Sequence, residues 1–372
     1  MKKIGITGQN GFVGTYLYNV LGLYPDKYQR IEFKKEFFNH EDKLDEFVQK
    51  CDVIIHLAAM NRHKDPLVIY YNNIDLVKKL TDSLRRVQSK AHIIFSSSSQ
   101  EEKDNLYGKS KKEGRTLLAD WAVESGGKFT GMIVPNVFGP FGKPEYNSFI
   151  ATFCHKLING NAPSIDNDSD VKLIYVAELV EEIIRIIDIS KTDNVYHIQH
   201  TSIKKVSEVL AKLENYKKLY FENGHIPELE SRFDINLFNT FRSYINPEKH
   251  FPIKFKLNKD NRGAFVEIIR LGVGGQCSFS TTVPGITRGN HYHTRKIERF
   301  AVIKGKALIK LRKINDDQAS EFFLDGDEPA YVDMPIWYTH SIKNIGNQDL
   351  YTIFWINEVF DASDADTHFL EV

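Results

Sequence analysis

The sequence predicts two domains of different class. The first, residues 1–246, is an α/β domain on a doubly wound parallel sheet; the second, 253–372, is all-β. Three observations carry this. The chain opens with an apolar strand that runs straight into a glycine-rich turn and a helix. Apolar runs and helix-period stretches then alternate to about residue 245, the pattern of βαβ units. After Tyr244-Ile-Asn-Pro247 to Pro252, which reads as a link, short alternating strands follow and carry closely spaced histidines.

Composition narrows the classes. At 372 residues, with 42% hydrophobic and 26% charged, the chain is long enough for two cores. Its 49 basic and 49 acidic residues cancel, so no nucleic-acid partner is expected. Three distant cysteines, Cys51, Cys154 and Cys277, make no disulfide framework and point to a reducing compartment. The apolar part of the opening stretch is too short for a signal peptide, and no run approaches a membrane span. A cytoplasmic protein is expected.

Lys3-Ile-Gly-Ile-Thr7 reads as a short buried strand. Gly8-Gln-Asn-Gly11-Phe12-Val-Gly14 follows it into a helix running to about Leu23. In such a turn Gly8 permits the tight bend, Gly11 lets backbone N–H groups approach a pyrophosphate, and Gly14 lets the helix pack on the strand. The phosphate sits at the helix N-terminus. A second strand, near Tyr28 to Phe33, ends in Glu32-Phe-Lys34-Lys35. An acidic residue at this place binds a ribose 2′-hydroxyl, whereas two lysines favour a 2′-phosphate, so NADPH is expected; Glu32 would serve NADH if the register moved by one.

Asp52 to Ala59 reads as a buried parallel strand, and Tyr71 to Leu80 as a helix. The strand Ala91 to Phe95 ends in Ser96-Ser-Ser-Ser99, where open α/β sheets place active-site residues. Tyr107-Gly-Lys-Ser-Lys111 then opens a helix to about Ser125. Residues i and i+4 share a helix face, so Tyr107 and Lys111 project together. A phenol near pKa ~10 is a poor acid–base group at neutral pH, and a nearby ammonium lowers it. A serine hydroxyl from the strand end can hold a substrate carbonyl. Asp166-Asn-Asp-Ser-Asp170 has the opening of a calcium loop but lacks its glycine and its last glutamate, and reads as a polar turn.

Thr7-Gly8-x-x-Gly11-Phe12-x-Gly14, His56-Leu-Ala-Ala59, the serine run, Tyr107-x3-Lys111 and Pro135-Asn136-Val-Phe-Gly-Pro140 together resemble the extended short-chain dehydrogenase/reductase (SDR) family, whose fold is Rossmann-type. The resemblance implies a nucleotide-sugar substrate. It implies catalysis by Ser98, Tyr107 and Lys111, with Ser97 or Ser99 as the alternative serines. It implies a cofactor site from Gly8, Gly11, Phe12, Gly14, Lys34, Lys35, Ala58, Asn73 and Lys111. Gly131-Met-Ile-Val134 lacks the arginine often found there, so one polar contact is missing. Asn147-Ser148-Phe149 falls in the usual nucleotide-sugar region.

In the second domain, His291 and His293 lie two apart, so a β-strand aims both at one point, and Glu298 can arrive from the next strand. His340 follows in Pro335-Ile-Trp-Tyr-Thr-His340. Three imidazoles and a carboxylate suit Zn²⁺ or another first-row divalent metal. The spacing G-x5-H-x-H-x4-E-x6-G, from Gly285 to Gly305, resembles the first motif of the cupin superfamily, a double-stranded β-helix or jelly-roll fold. The second motif departs from that pattern, with Trp337 where glycine is usual. Asp260-Asn-Arg262-Gly-Ala-Phe265-Val-Glu267 and Arg288-Gly-Asn-His291 resemble 4-keto-6-deoxysugar 3,5-epimerases, which use no metal; His291 is assigned to the metal here.

A reductase followed by a metal-type cupin resembles the bifunctional enzymes of capsular polysaccharide and O-antigen synthesis, and the segment Asp364 to Val372 also fits. The resemblance implies that the cupin epimerises C3 of a UDP-linked 4-keto-6-deoxy amino sugar. The SDR domain would then reduce C4 with NADPH, giving UDP-2-acetamido-2,6-dideoxy-L-talose on the way to UDP-N-acetyl-L-fucosamine. Tyr338 and Tyr292 are candidates for the epimerase acid and base, and a homodimer is expected. Two alternatives stay open: a single-activity nucleotide-sugar epimerase, dehydratase or reductase with a structural cupin, and a non-catalytic NADPH sensor.

Overall fold

The computed structural model describes residues 1–146, 148–260 and 263–372, so the expectations on Asn147 and Arg262 lie outside the described residues. The chain forms two compact units: Met1–Lys156 with Ala162–Leu210, and Leu157–Asn161 with Ala211–Val372.

The first unit runs β1 (Lys2–Thr7), α1 (Phe12–Leu21), β2 (Tyr28–Ile31), α2 (Glu41–Lys50), β3 (Val53–His56), α3 (Pro66–Arg86), β4 (His92–Ser98), α4 (Leu106–Ser125) and β5 (Lys128–Val134). It continues β6 (Asn136–Phe138), α5 (Phe149–Ile158), β7 (Asp170–Tyr175), α6 (Val176–Ile189), β8 (Asp193–His197), β9 (Ser202–Lys205) and into α7 (Val206–Tyr216). Six strands form one parallel sheet in the order β2-β1-β3-β4-β5-β8. Helices α2, α3 and α4 pack on one face, and α1 packs against α6. This is the doubly wound Rossmann-type build. The strand order reverses at β1, so a crevice opens at the carboxyl ends of β1 and β3, where such sheets bind ligands. Continuous apolar strands such as Val53–Ile55 are buried on both faces, as a sheet covered by two helix layers requires.

The glycine turn sits at that reversal. Gly8 has φ +77°, and a Cβ there would stand 2.8 Å from the Ala58 backbone nitrogen. A Cβ on Gly14 would stand 2.2 Å from the Gly8 carbonyl oxygen. Helix α1 therefore packs on its own turn only with glycine at both places. The serine strand is longer than the sequence suggested: β4 carries Ser96, Ser97 and Ser98. Helix α4 starts where Asn105 accepts the Gly108 N–H at 2.7 Å, and this cap fixes the turn that presents Tyr107.

The second unit adds α8 (Arg232–Arg242), α9 (Pro247–His250), β10 (Ile253–Lys254), β11 (Asn258–Asp260), β12 (Gly263–Phe265), β13 (Gln276–Thr282), β14 (Thr287–Tyr292), β15 (Glu298–Lys304) and β16 (Lys306–Lys313). It ends β17 (Ala319–Asp325), β18 (Ala330–Met334), β19 (Tyr338–Asn344), β20 (Leu350–Ile356) and β21 (His368–Phe369). Two five-stranded antiparallel sheets, β10-β18-β15-β20-β13 and β17-β16-β19-β14-β21, enclose one core with Ala301, Val332, Ile309 and Ile342 at its centre. This is a cupin-like β domain. The segment from Ala211 to the link packs within this unit. Tyr220 donates to Asp333 at 2.6 Å, Arg299 pairs with Asp333 at 2.7 and 3.0 Å, and Arg242 donates to the Met334 carbonyl at 3.0 Å. Among the described residues no helix is long and apolar enough to cross a membrane.

Candidate active and metal sites

Three residues meet at the end of β4. Of the serines, Ser97 is buried and donates to Glu101, and Ser99 is exposed. Ser98 hydrogen-bonds Tyr107 and also accepts the Gln100 N–H at 3.2 Å. Burial pushes the Tyr107 phenol up to about 12, the neighbouring Tyr146 phenol adds to this, and Ser98 opposes it. Lys111, one turn on, is 3% exposed. Its ammonium lies 4.7 Å from the centre of the Phe95 ring, and burial lowers it to about 8 against the pull of Glu101. The sequence expectation that Lys111 depresses Tyr107 is thus not met in this state: burial raises the phenol, and Lys111 is not among the groups that move it. A tyrosine held protonated is suited to give a proton rather than to take one.

Glu101 is engaged elsewhere. It binds Arg115 through three contacts of 2.8 to 3.3 Å. Arg115 crosses Gly131, where a Cβ would be 2.6 Å from Arg115 Cδ, and donates to the Asn194 carbonyl at 3.0 Å. The arginine missing from the Gly131–Val134 stretch therefore has a counterpart on α4, reached across the space that Gly131 leaves open.

The cofactor residues divide. Gly8, Gly11, Phe12 and Gly14 form the turn and the start of α1, whose N-terminus has no side-chain cap and so leaves N–H groups for an anion. Ala58 lies against Gly8. Lys34 and Lys35 are exposed beyond β2, with Lys34 3.8 Å from Glu32. Asn73 is buried and turned inward: its amide exchanges bonds with Met60 at 2.7 and 3.2 Å and donates to Ser110 at 3.1 Å. It shapes the loop after β3 from behind. A cavity of about 640 Å³ lies in the same unit, lined by Arg62, Asn136, Tyr146, Ser148, Phe149 and Lys156 among others. The turn at 166–170 borders it, and there Asp168 accepts from Ser207 at 2.8 and 2.9 Å.

In the second unit His291, His293, Glu298 and His340 bring their donor atoms within 4.8 Å of one another. Asn290, at φ +56°, interrupts the β14–β19 register between Gly289 and His291, and this bulge sets His291 opposite His340. Trp337, at the usual glycine position, takes the left-handed backbone itself, with φ +63°. Its ring is buried near Tyr292, its N–H donates to the His293 carbonyl at 2.8 Å, and its carbonyl accepts the Ile314 N–H at 3.1 Å. Packing and two backbone bonds hold a conformation that a bulky residue seldom adopts.

The chemistry of the donors fits a cation. A carbonyl only accepts, so the 2.6 Å contact from His293 Nδ1 to the Asp366 carbonyl places the proton on Nδ1. In the neutral ring the Nε2 lone pair then faces Glu298 Oε2 at 3.1 Å, whereas a protonated ring donates to it; burial lowers His293, but Glu298 and the Asp366 carbonyl outweigh burial and raise the ring. His340 Nε2 lies 3.3 Å from the same oxygen, and neither of its ring nitrogens makes a hydrogen bond. Burial, with His340 and His293 beside it, lowers His291 to about 4, so its ring is neutral at pH 7. Burial alone would raise Glu298, and its two imidazole neighbours lower it only as protonated donors. With those rings neutral, Glu298 Oε2 and the Nε2 atoms of His293 and His340 present lone pairs that a first-row divalent ion can accept together.

Tyr338 shares a face of β19 with His340 and is partly buried. Tyr292 alternates away from His291 and His293 and packs on Trp337 and His368, ring centres 5.8 and 5.2 Å apart. Period-two alternation removes it from the site. Sequence reasoning did not single out Asp366, Tyr146 or Arg115. Arg115 had a signal as the third member of the 107–111–115 helix stripe, and Asp366 lay within the segment Asp364 to Val372 that fitted the resemblance.

The first unit is a nucleotide-binding dehydrogenase-type domain, and the second a cupin-like domain with a four-donor cluster. Residues 4–198 match the NAD dependent epimerase/dehydratase family, and residues 258–368 match the polysaccharide biosynthesis C-terminal domain. The UDP-2-acetamido-2,6-beta-L-arabino-hexul-4-ose reductase of Pseudomonas aeruginosa is 33% identical over 98% of both chains. The capsular polysaccharide assembling protein CapF of Staphylococcus aureus is 36% identical over 100% of both chains, with a TM-score of 0.61. RMD from Pseudomonas aeruginosa, solved with NADPH, shares the fold at 18% identity, a TM-score of 0.53, 59% of this chain and 83% of that one. The chain belongs to the NAD dependent epimerase/dehydratase family, in the two-domain group that includes this reductase and CapF. That membership makes it an oxidoreductase of the nicotinamide-dependent kind.

Proposed function

We propose that this chain is a bifunctional nucleotide-sugar enzyme. The cupin-like unit epimerises C3 of a UDP-linked 2-acetamido-4-keto-6-deoxy sugar, and the first unit reduces the C4 ketone with NADPH to UDP-2-acetamido-2,6-dideoxy-L-talose. One observation carries the reading: a Ser98–Tyr107–Lys111 cluster and a four-donor metal cluster occur in one chain whose full-length relative is named for reducing such a 4-ketose. The engagement of Glu101 with Ser97 and Arg115 leaves it no role as the acid of a 4,6-dehydratase and favours reduction.

In the reductase unit, Ser98 donates to the C4 ketone oxygen and orients it. Tyr107, protonated because burial raises its pKa, gives that oxygen its proton. Lys111 presents its ammonium to the nicotinamide ribose. Gly8, Gly11, Phe12 and Gly14 would hold NADPH, which when bound would supply the hydride that, with the Tyr107 proton, balances reduction of the ketone to the alcohol. The 640 Å³ cavity takes the UDP portion, with Arg62 and Lys156 on its wall to meet phosphate charge. Lys34 and Lys35 stand where a 2′-phosphate would lie.

In the second unit His291, His293, Glu298 and His340 hold a Zn²⁺ or related ion, which when bound supplies Lewis-acid polarisation of the C4 carbonyl. The C3 proton is acidic because the adjacent carbonyl takes the charge as an enediolate; it leaves to solvent water on one face of the ring, and a proton returns to C3 on the opposite face. Tyr338, raised by burial and by Asp316 and Glu248, is protonated at neutral pH and serves as the donor at C3.

The test is proton NMR at C3 in deuterated water with the UDP-4-keto-6-deoxy sugar and no nicotinamide. Exchange lost in His291→Ala and kept in Tyr107→Phe supports the reading. No exchange with zinc-loaded protein would leave a single-activity reductase. The family resemblance also implies a homodimer, which light scattering at the monomer mass would refute.

A further inference from the structure

Asp366 lies far along the chain from the metal motif and belongs to no strand. Its side chain is 1% exposed, and its backbone has φ +40°. Its carboxylate accepts the backbone N–H groups of Thr294 at 3.0 and 3.2 Å, Arg295 at 3.0 Å and Lys296 at 3.1 Å, and the Thr294 hydroxyl at 2.7 Å. Those three residues are the turn that leads from His293 to Glu298. The carbonyl of the same residue takes the His293 Nδ1 proton at 2.6 Å.

One residue thus acts on the cluster twice. Its carboxylate gathers successive N–H groups of the turn, which sets the separation of the two flanking donors. Its carbonyl selects the ring tautomer that leaves His293 Nε2 bare toward Glu298. The segment around it is tied down independently. Arg295 pairs with Asp364 at 2.8 Å and Glu358 at 3.1 Å, and Lys296 donates to the Ala365 carbonyl at 2.5 Å. The Leu370 N–H donates to the Asn290 carbonyl at 2.9 Å, and His368 and Phe369 pair with β14 beside His291. The strand that carries His291, and the turn from His293 that follows it, are therefore gripped from both sides.

We infer that Asp366 is a positioning residue for the metal centre, and that the segment 364–372 is a strap which holds His291, His293 and Glu298 in ligating geometry. This rests on the metal reading above and assigns affinity to residues outside the ligand set. A staple that served only the fold would change unfolding and leave the metal's environment as it was.

The test uses the full chain with Zn²⁺ alone, in competition with a colorimetric chelator, and Co²⁺ substitution read by visible absorption. Asp366→Ala is expected to bind Zn²⁺ about 10-fold more weakly or worse, with an altered Co²⁺ spectrum. Asp366→Asn keeps one acceptor oxygen and should fall between. Thr294→Val removes a single bond to the carboxylate and decides the matter if Asp366→Ala does not fold; a smaller loss of affinity with a changed Co²⁺ spectrum is expected. Folded Asp366→Ala and Thr294→Val with wild-type affinity and spectrum would overturn the inference. Wild-type chain that binds no Zn²⁺ would overturn the metal reading itself, and that arm is read first.

Discussion

Replacing Lys111 by methionine should stabilise the first unit while removing reduction. The buried ammonium falls from the ordinary 10.5 to about 8 because burial removes its water. At about 1.4 kcal/mol per pH unit, holding it charged costs the folded state about 3 kcal/mol at neutral pH. Methionine keeps the unbranched stem but gives up the contact with the Phe95 ring, about 1 kcal/mol, so the net gain is about 2 kcal/mol. The sign follows from the depressed folded-state pKa. Below pH 8 both states carry the charge, and the wild type bears the full penalty. Between about 8 and 10.5 the folded lysine is neutral while the unfolded one is charged, and the penalty fades; above 10.5 it is gone. Urea unfolding without nicotinamide, with hydrogen exchange of β4 and α4 peptides reading the first unit, should show the variant more stable at pH 7 and the gap closing by pH 10. A variant no more stable than wild type at pH 7, or a gap that ignores pH, would refute the argument. The same group sets an activity limb, so wild-type reduction should fall as pH rises through about 8.

Tyr107→Phe should lower NADPH-dependent reduction by about 10² or more, since it removes the proton donor; turnover within a few-fold of wild type would end its catalytic role. Lys34→Ala with Lys35→Ala should cut the NADPH-over-NADH ratio of kcat/KM about tenfold by removing two charges from a 2′-phosphate, and wild-type turnover with NADH equal to NADPH would refute the preference. Asp333→Ala leaves Arg299 buried without its partner and should destabilise the second unit by about 3–5 kcal/mol, read by urea unfolding. His340→Ala should lower the metal retained after dialysis, measured by elemental analysis, and unchanged retention would remove it from the ligand set.

Much of the site was legible because local rules place it. A glycine turn after the first strand, a helix stripe at i and i+4, and alternate strand positions are properties of short windows. Tyr107 and Lys111, and the meeting of His291 with His293, follow from such windows.

The sequence by itself therefore determined the two fold classes, the glycine turn and the residue types of the four-donor cluster. Tertiary structure decided what depends on partners distant in sequence. Asn73 turned inward because Met60 and Ser110 take its amide. Tyr107 rose rather than fell because its burial, which no spacing reports, disfavours the phenolate. Residues 211–252 joined the β unit because Asp333, 113 residues after Tyr220, accepts its phenol in a buried cluster with Arg299. Asp366 reached the His293–Glu298 turn of the four-donor cluster by accepting N–H groups some seventy residues earlier. Such pairings gain their energy only when the chain has folded and water is excluded, so no local pattern records them.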